Sequence, residues 1–413
     1  MLDTRADFDE QQVIDSLLAF TDREIMPIQA KVQHLIDDMR QFYDEDGLEV
    51  EAIRLAKKEA RMKAASAGFY AMFCPAEYGG SDLGIKLWYK CWEALFHHYG
   101  PPARQLPYFI LSSFTGGPHE VWKYASPELR DAVLPRLVSG ELVGAFGLSE
   151  PDAGSDNWNM KTKAVRDGDE WVINGMKQWT SWSPHADFIM VYAVTNQELV
   201  NQRRGGITCF YVPTSTPGYK FESVIKLFGL VGGEEGILSF TDVRIPDSYR
   251  LGEVDEGFKL AMLGVRHGRL SNAGRTWGQA RWALEKAIEY AKIRTTFGKK
   301  LYEHQAISFY IAECATVLYA GHCMAMDCAT KADQGLDVRN EVSMVKLYCT
   351  NEGHKIIDTC MQILGGMGLV NESNLYDAWH STRIMRIGEG STEIQKRSIA
   401  QNIFRGRMDL GFH

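Results

Sequence analysis

The distribution of proline constrains this chain most. All 13 prolines fall at or before Pro246, and residues 247–413 contain none. Proline lacks a backbone donor and clashes with the preceding helical turn, so it interrupts helix interiors and central strands. A proline-free stretch this long predicts uninterrupted helices and a change of architecture near residue 250. Apolar spacing close to 3.6 predicts helices over 263–293, 304–334, 338–364 and 392–404, with Gly365, Gly366 and Gly368 marking a helix stop.

Two other textures precede the break. Residues 1–140 read mainly helical, with Val13, Leu17, Leu18, Ile25 and Met26 at helical spacing, further helices over 51–65 and 86–99, and a turn-rich loop over 75–82. Residues 141–250 carry short β-prone runs: a hairpin signalled by Asp167-Gly168, then 188–194, 207–212, 219–225 and 238–245. The expected fold is α+β and multidomain. It has an N-terminal helical domain (1–140), a middle β-barrel or sandwich domain (141–250) and a C-terminal four-helix-bundle-like domain (251–413). With 45% hydrophobic and 24% charged residues, the chain can bury a large core without disulfides or a structural metal.

Charge and cysteine narrow the function classes. The net charge of −8 disfavours nucleic acid as a partner, since no basic excess exists to meet phosphate. No apolar run is long enough to predict a membrane span. The eight cysteines include no CxxC pair, so they predict reduced, mostly buried thiols in a cytoplasmic setting, and no metal. The acidic start has no basic region leading into an apolar run, which fits a cytoplasmic or already processed chain.

Five segments could carry chemistry. Gly147-Leu-Ser-Glu-Pro-Asp-Ala-Gly-Ser-Asp156 combines small residues with hydroxyls, so it can either hydrogen-bond a flavin or phosphate or form a plain polar turn. Trp179-Thr-Ser-Trp182 sets aromatic rings beside hydroxyl donors, which suits flanking a planar heterocycle or packing in a β core. Arg294-Thr-Thr-Phe-Gly298, followed by His304-Gln305, places a guanidinium at a helix end, where it can hold a pyrophosphate or simply answer the helix dipole. Gln362-Ile-Leu-Gly-Gly366 either caps a helix or lets another chain or a ligand pack against its backbone. In Ile387-Gly-Glu-Gly-Ser-Thr-Glu-Ile-Gln395, Glu389 stands between two glycines before the last helix. It is a capping carboxylate or, if desolvated, a general base.

In this order, with Gly68-Phe-Tyr-Ala-Met-Phe-Cys-Pro-Ala-Glu-Tyr-Gly-Gly80 ahead of them, the segments resemble the acyl-CoA dehydrogenase family over nearly the whole chain. The resemblance implies bound FAD and a homotetramer built as a dimer of dimers. It implies that Phe146, Leu148, Ser149, Gly154, Ser155, Trp179, Thr180 and Ser181 bind the flavin. Arg294, Thr296, Phe297, His304, Gln305, Gln362, Gly365 and Gly366 match segments reaching the FAD held mainly by a neighbouring subunit, and Ser391 and Glu393 a segment beside its adenosine–pyrophosphate part. Ser155, Arg266, Arg269 and Gly390 are implied on the substrate side.

The implied reaction removes the C2 proton and the C3 hydride of an acyl-CoA thioester to give the 2,3-enoyl-CoA. Glu389 is the implied base, its backbone N–H helps polarise the thioester carbonyl, and flavin N5 accepts the hydride. Electrons then pass to an electron-transferring flavoprotein. Other family members carry the base on the helix beside the residue matching Arg269; here that neighbour is Gly268, which favours Glu389. Arg266 stands where many members have an aspartate contacting CoA, so it is a candidate for a CoA phosphate or an acyl carboxylate. Gly388 stands where tyrosine is common in straight-chain enzymes, which suggests a branched, cyclic or bulky acyl group. Asp152 replaces a common glycine. The alternatives are an acyl-CoA oxidase of the same fold using O₂, or a non-catalytic flavin- or CoA-binding subunit of a hetero-oligomer.

Overall fold

The structure, a computed structural model, describes residues 9–101, 105–112 and 116–408; the first eight residues of the acidic start lie outside them. Helices come first: α1 (Glu10–Phe20), α2 (Met26–Asp37), α3 (Met39–Phe42), α4 (Glu51–Ser66), α5 (Ile85–Tyr99) and α6 (Pro127–Val138). Asp9 starts α1 by accepting from Gln11 N at 2.9 Å, and prolines enter the first turns of α2 and α6, where no N–H is needed.

Eight strands follow: β1 (Gly144–Gly147), β2 (Lys163–Asp167), β3 (Glu170–Ser181), β4 (Phe188–Val194), β5 (Ile207–Pro213), β6 (Tyr219–Val224), β7 (Glu235–Pro246) and β8 (Arg250–Leu251), with the short helix α7 (Gln197–Asn201) between β4 and β5. They form one sheet in the order β6-β7-β3-β2-β4-β5-β8, with β1 parallel beside β4. The expected hairpin is β2–β3, where Asp167 pairs with Glu170 across a two-residue loop whose Gly168 takes φ 63°. β4 is buried along its whole length. Its alternation explains this: Phe188, Met190, Tyr192 and Val194 enter one core with Trp122 and Tyr211, while Ile189, Val191 and Ala193 enter another with Trp171 and Phe240. A strand buried on both faces reads as a continuous apolar run.

The proline-free region forms α8 (Gly257–Ile293), α9 (Gln305–Asp333), α10 (Arg339–Leu364), α11 (Leu375–Met385) and α12 (Thr392–Phe404). The four expected helices all appear, and α12 has its expected bounds. α8 begins six residues before its expected start, and α11 was not anticipated. The chain divides into two compact units built from interleaved segments. One comprises Met1–Thr21, Leu83–Tyr108 and Arg266–His413, the other Asp22–Asp82 and Phe109–Val265. In the first unit α10 packs against α9, α11 and α12. Ala280, Ala283 and Ala287 of α8 join Ile356, Ile357 and Cys360 of α10 in its core. Among the described residues no helix is long and apolar enough to cross a membrane. All eight cysteines are free, and only Cys323 is exposed.

Candidate active site

In the helical unit the catalytic candidate sits in the turn between α11 and α12. Glu389 takes φ 56° and Gly390 φ 89°, so two successive residues are left-handed. A non-glycine residue there is strained and must be held by its surroundings. Donors on three helices hold it. Arg269 Nε of α8 donates to Glu389 O (3.1 Å), and Gln395 Nε2 of α12 donates to Glu389 O (3.2 Å) and Gly390 O (2.9 Å). Lys346 Nζ of α10 donates to Gly390 O (2.7 Å) and Arg386 O (3.3 Å). With both carbonyls turned onto these donors, the Glu389 N–H donates to no backbone acceptor among the described residues.

The Glu389 carboxyl lies against Gly268 of α8, where an ideal Cβ would come within 2.7 Å of Cδ. It has no hydrogen-bond or ion-pair partner among the described residues. Burial raises its pKa to about 7, against the opposing charges of Arg269, Lys346 and Arg275. Burial also lowers Arg269, and it lowers Lys346 to about 8 with help from Arg269. The site is thus a carboxylate poised near neutrality above a cationic floor.

In the sheet unit, β3 and the loop after β1 form the candidate flavin surface. A bulge between Lys177 and Thr180 breaks the register with β7, and Trp179 inside it takes φ 62°. Bulges re-aim side chains; Trp179 is 51% exposed, an unusual state for tryptophan. Ser181 is exposed too, as are Gly154 and Ser155. Thr180 is buried with an unpartnered Oγ1, and a buried hydroxyl without a partner calls for one. Fully buried Lys177 joins the loop to the strand by donating to Leu148 O (3.2 Å) and Glu150 Oε1 (2.7 Å), while Gln178 N donates to Ser149 O (2.9 Å). Burial pushes the Glu150 carboxyl up, yet the charge and hydrogen bond of Lys177, with Thr162 and Lys161, bring it below its ordinary value. Burial lowers Lys177 to about 8 against the pull of Glu150. Leu148 is buried, Ser149 half-buried, and half-buried Phe146 packs its ring on Tyr192 (4.9 Å between centroids). An exposed ring flanked by hydroxyls, one of them orphaned, fits the isoalloxazine part of FAD.

The remaining candidates lie elsewhere on the helical unit. Thr295–Thr296 pairs with Lys299–Lys300 across a tight turn in which Phe297 (φ 49°) and Gly298 (φ 80°) are both left-handed. Phe297 is 99% exposed there. His304 Nε2 lies 3.1 Å from Thr296 Oγ1 and braces the turn, while Arg294 and Gln305 are exposed. Gln362, Gly365 and Gly366 are exposed at the end of α10. Gly365, at φ 59°, ends the helix, but a Cβ on Gly366 would meet nothing within 4 Å. Ser391 caps α12 by accepting from Ile394 N (3.4 Å), and Glu393 occupies the first turn of that helix. Arg266 is half-buried, and its charge acts on Cys328 and Asp337.

Sequence motifs led to Glu389, Arg269 and Gly390, and the fold brings them together. They did not lead to Lys346, Gln395 or the Lys177–Glu150 pair as site residues. A signal for two of these existed. Lys177 continues the inward alternation of Trp171 and Ile173, and Lys346 shares a helix face with Val342, Val345 and Cys349.

A desolvated carboxylate near neutrality, with an unspent N–H on its own backbone, suits proton removal from a weak carbon acid beside a carbonyl. This describes a class of proton-abstracting oxidoreductases with a flavin-binding sheet. The chain belongs to the acyl-CoA dehydrogenase family: the N-terminal, middle and C-terminal domain models match residues 8–141, 145–243 and 255–404. It is 32% identical over 397 residues to the mitochondrial short-chain specific acyl-CoA dehydrogenase of Homo sapiens, covering 96% of this chain and 90% of that one. It is 32% identical over 352 residues to subunit CarC of the caffeyl-CoA reductase–Etf complex of Acetobacterium woodii, covering 85% and 91%. The solved FAD complex of PigA superimposes with a TM-score of 0.80 at 26% identity, covering 96% of this chain and 99% of that one. The protein is accordingly an FAD-dependent oxidoreductase of the acyl-CoA dehydrogenase type.

Proposed function

We propose that this enzyme takes the C2 proton of an acyl-CoA thioester onto Glu389 as the substrate becomes the 2,3-enoyl-CoA. The observation that carries this reading is the Glu389 carboxyl itself, unpaired and raised to about 7 by burial. The Glu389 N–H donates toward the thioester carbonyl and so stabilises charge developing at C2. FAD, when bound, supplies the acceptor for the hydride leaving C3. Leu148, Ser149, Trp179, Thr180 and Ser181 hold its ring system, and Arg269 stays with the turn through Glu389 O.

The substrate is branched, cyclic or otherwise bulky at its acyl end. Support comes from Gly388, which is exposed and whose nearest neighbour to an added Cβ would be Ile384 O at 4.0 Å. Local packing does not demand glycine there, so its smallness is available to the substrate. The working assembly is a homotetramer, in which Arg294, Phe297 and Gln362 reach a neighbour's FAD; the outward Phe297 supports this. Electrons leave to an electron-transferring flavoprotein, as the name of the Acetobacterium woodii relative suggests. Eight free thiols fit a reducing compartment such as the cytoplasm. The same relative is named a reductase, and a carboxyl near pH 7 can also return a proton to C2, so the site suits the reverse direction when the acceptor is reduced.

Anaerobic bleaching of the bound flavin by a panel of straight, branched, cyclic and aryl acyl-CoA esters tests the reading. Bulky esters should bleach fastest, and Gly388→Tyr should shift preference toward short straight chains. Glu389→Gln should retain FAD and lose bleaching with every ester. Bleaching retained by that variant removes Glu389 as the base.

A further inference from the structure

Lys346 is a buried ammonium whose direct partners are carbonyl groups. It is 0% exposed on α10, and its two hydrogen bonds go to Arg386 O and Gly390 O. Arg386 O precedes the Gly388–Glu389–Gly390 turn at the end of α11, and Gly390 O closes it just before α12. Asn351, on the same helix, adds a second clasp. Its Oδ1 accepts from Arg386 Nε (2.9 Å), and its Nδ2 donates to Thr392 Oγ1 (3.1 Å). A buried charge without a carboxylate partner is a costly way to stabilise a fold, because its desolvation is repaid only by dipoles. Its placement makes sense if the turn it holds must not move.

We propose that Lys346 is a positioning residue for the reaction, locking the turn so that the Glu389 carboxylate and the Glu389 N–H keep their aim and the carboxylate feels a fixed positive charge. The proposal rests on the reading of Glu389 as the base. The charged groups facing this carboxyl are Arg269 and Arg275 from α8 and Lys346 from α10. Those facing Lys346 are Arg269, Glu389, Arg386 and Glu393. Lys346 is thus the α10 cation in the set that opposes the rise of the Glu389 pKa. Removing it leaves Gly390 O with Gln395 Nε2 and frees Arg386 O of its lysine contact.

The test compares Lys346→Met, Lys346→Gln and Lys346→Arg holoenzymes in anaerobic stopped-flow, using the acyl-CoA ester that bleaches the wild type fastest in the panel above. Both neutral variants should reduce their flavin about tenfold to a hundredfold more slowly at pH 7, the scale of a misplaced catalytic group. Their half-maximal rate should move to higher pH, and the acyl-CoA concentration giving half-saturation should change little. Lys346→Arg should restore the pH midpoint and part of the rate. Unchanged rates and midpoint in an FAD-loaded neutral variant overturn the proposal. So does a slow variant whose midpoint stays put and which arginine does not rescue, because that is a packing defect alone. Should Lys346→Met not fold, the glutamine and arginine variants decide by the same criteria. If Glu389→Gln still bleaches, the base assignment falls; if it is dead while the Lys346 variants match wild type, this proposal falls alone.

Discussion

A methyl group on residue 268 would compete with the Glu389 carboxyl for one place, since the ideal Cβ stands 2.7 Å from Cδ and 2.8 Å from Oε1. The carboxyl is the free end of a flexible side chain, so the fold yields cheaply. Alanine also gains up to about 1 kcal/mol over glycine inside a helix. Gly268→Ala should therefore melt at the same temperature or higher, keep its FAD, and bleach at least about tenfold more slowly at pH 7; an unchanged bleaching rate rejects the crowding argument. The pH response follows from the same carboxyl. As a base Glu389 must be ionised, so the bleaching rate should rise with pH through about 7. Stability should run the other way. A folded pKa above the ordinary 4.5 means that ionising Glu389 destabilises the fold as pH rises from 4.5 through 7. Glu389→Gln should be more stable than wild type at pH 8, by on the order of 1–3 kcal/mol, and the gap should shrink toward pH 5, as denaturant titrations will show. Glu389 and Arg269 were legible because their motifs are local in sequence. Lys346 was legible only as an inward position beside Val342, Val345 and Cys349; its tie to the turn was not, because its partners lie 40 and 44 residues away.

At the scale of elements, β3 joins the two parts of the proposed flavin surface through a buried pair. Lys177→Met takes the Nζ donor from Leu148 O and leaves the Glu150 carboxylate to the backbone donors Lys161 N (2.6 Å) and Thr162 N (3.0 Å). Breaking one side of a buried pair typically costs about 3 kcal/mol. The variant should melt earlier and release FAD more readily on dialysis, read as flavin absorbance per protein. Adding Glu150→Gln should recover part of the stability, because the stranded charge is gone. Wild-type melting and FAD retention in Lys177→Met would show that the pair does not hold the loop. The long helices were legible through the absence of proline, a negative signal that needs no tertiary information. α11 was not, because its 11 residues follow a glycine-rich stop and a turn. β3 runs on to Ser181 through the bulge between Lys177 and Thr180, and that break in the alternation hides its last residues from a periodicity reading.

The interleaving of the two compact units is a property of the whole molecule that no local pattern encodes, since it depends on which distant segments pack together. The proposed assembly beyond one chain has a clearer counterpart in α9. Cys314, Gly321, Ala325 and Cys328 are buried at spacings of seven, four and three, a seam used inside the helical unit. Phe309, Ala312, Thr316, Tyr319 and Cys323 recur at three and four on another side and are all exposed. An open seam with this period fits a helix from a second copy, and exposed Phe297 and Phe404 add apolar surface on the same unit. The seam supports contact with a second copy and the resemblance implies four chains, so a homotetramer is the expected species by sedimentation at micromolar concentration. Phe309→Glu combined with Tyr319→Glu should give smaller species with wild-type helix content by circular dichroism, because neither side chain is part of the core. In the resemblance Arg294 and Phe297 serve a neighbour's FAD, so the dissociated protein should also lose its flavin on dilution, and excess FAD should slow that loss. A wild-type monomer that keeps stoichiometric FAD would refute both the seam and the shared cofactor site. Smaller species that keep FAD would refute the sharing and leave the seam standing.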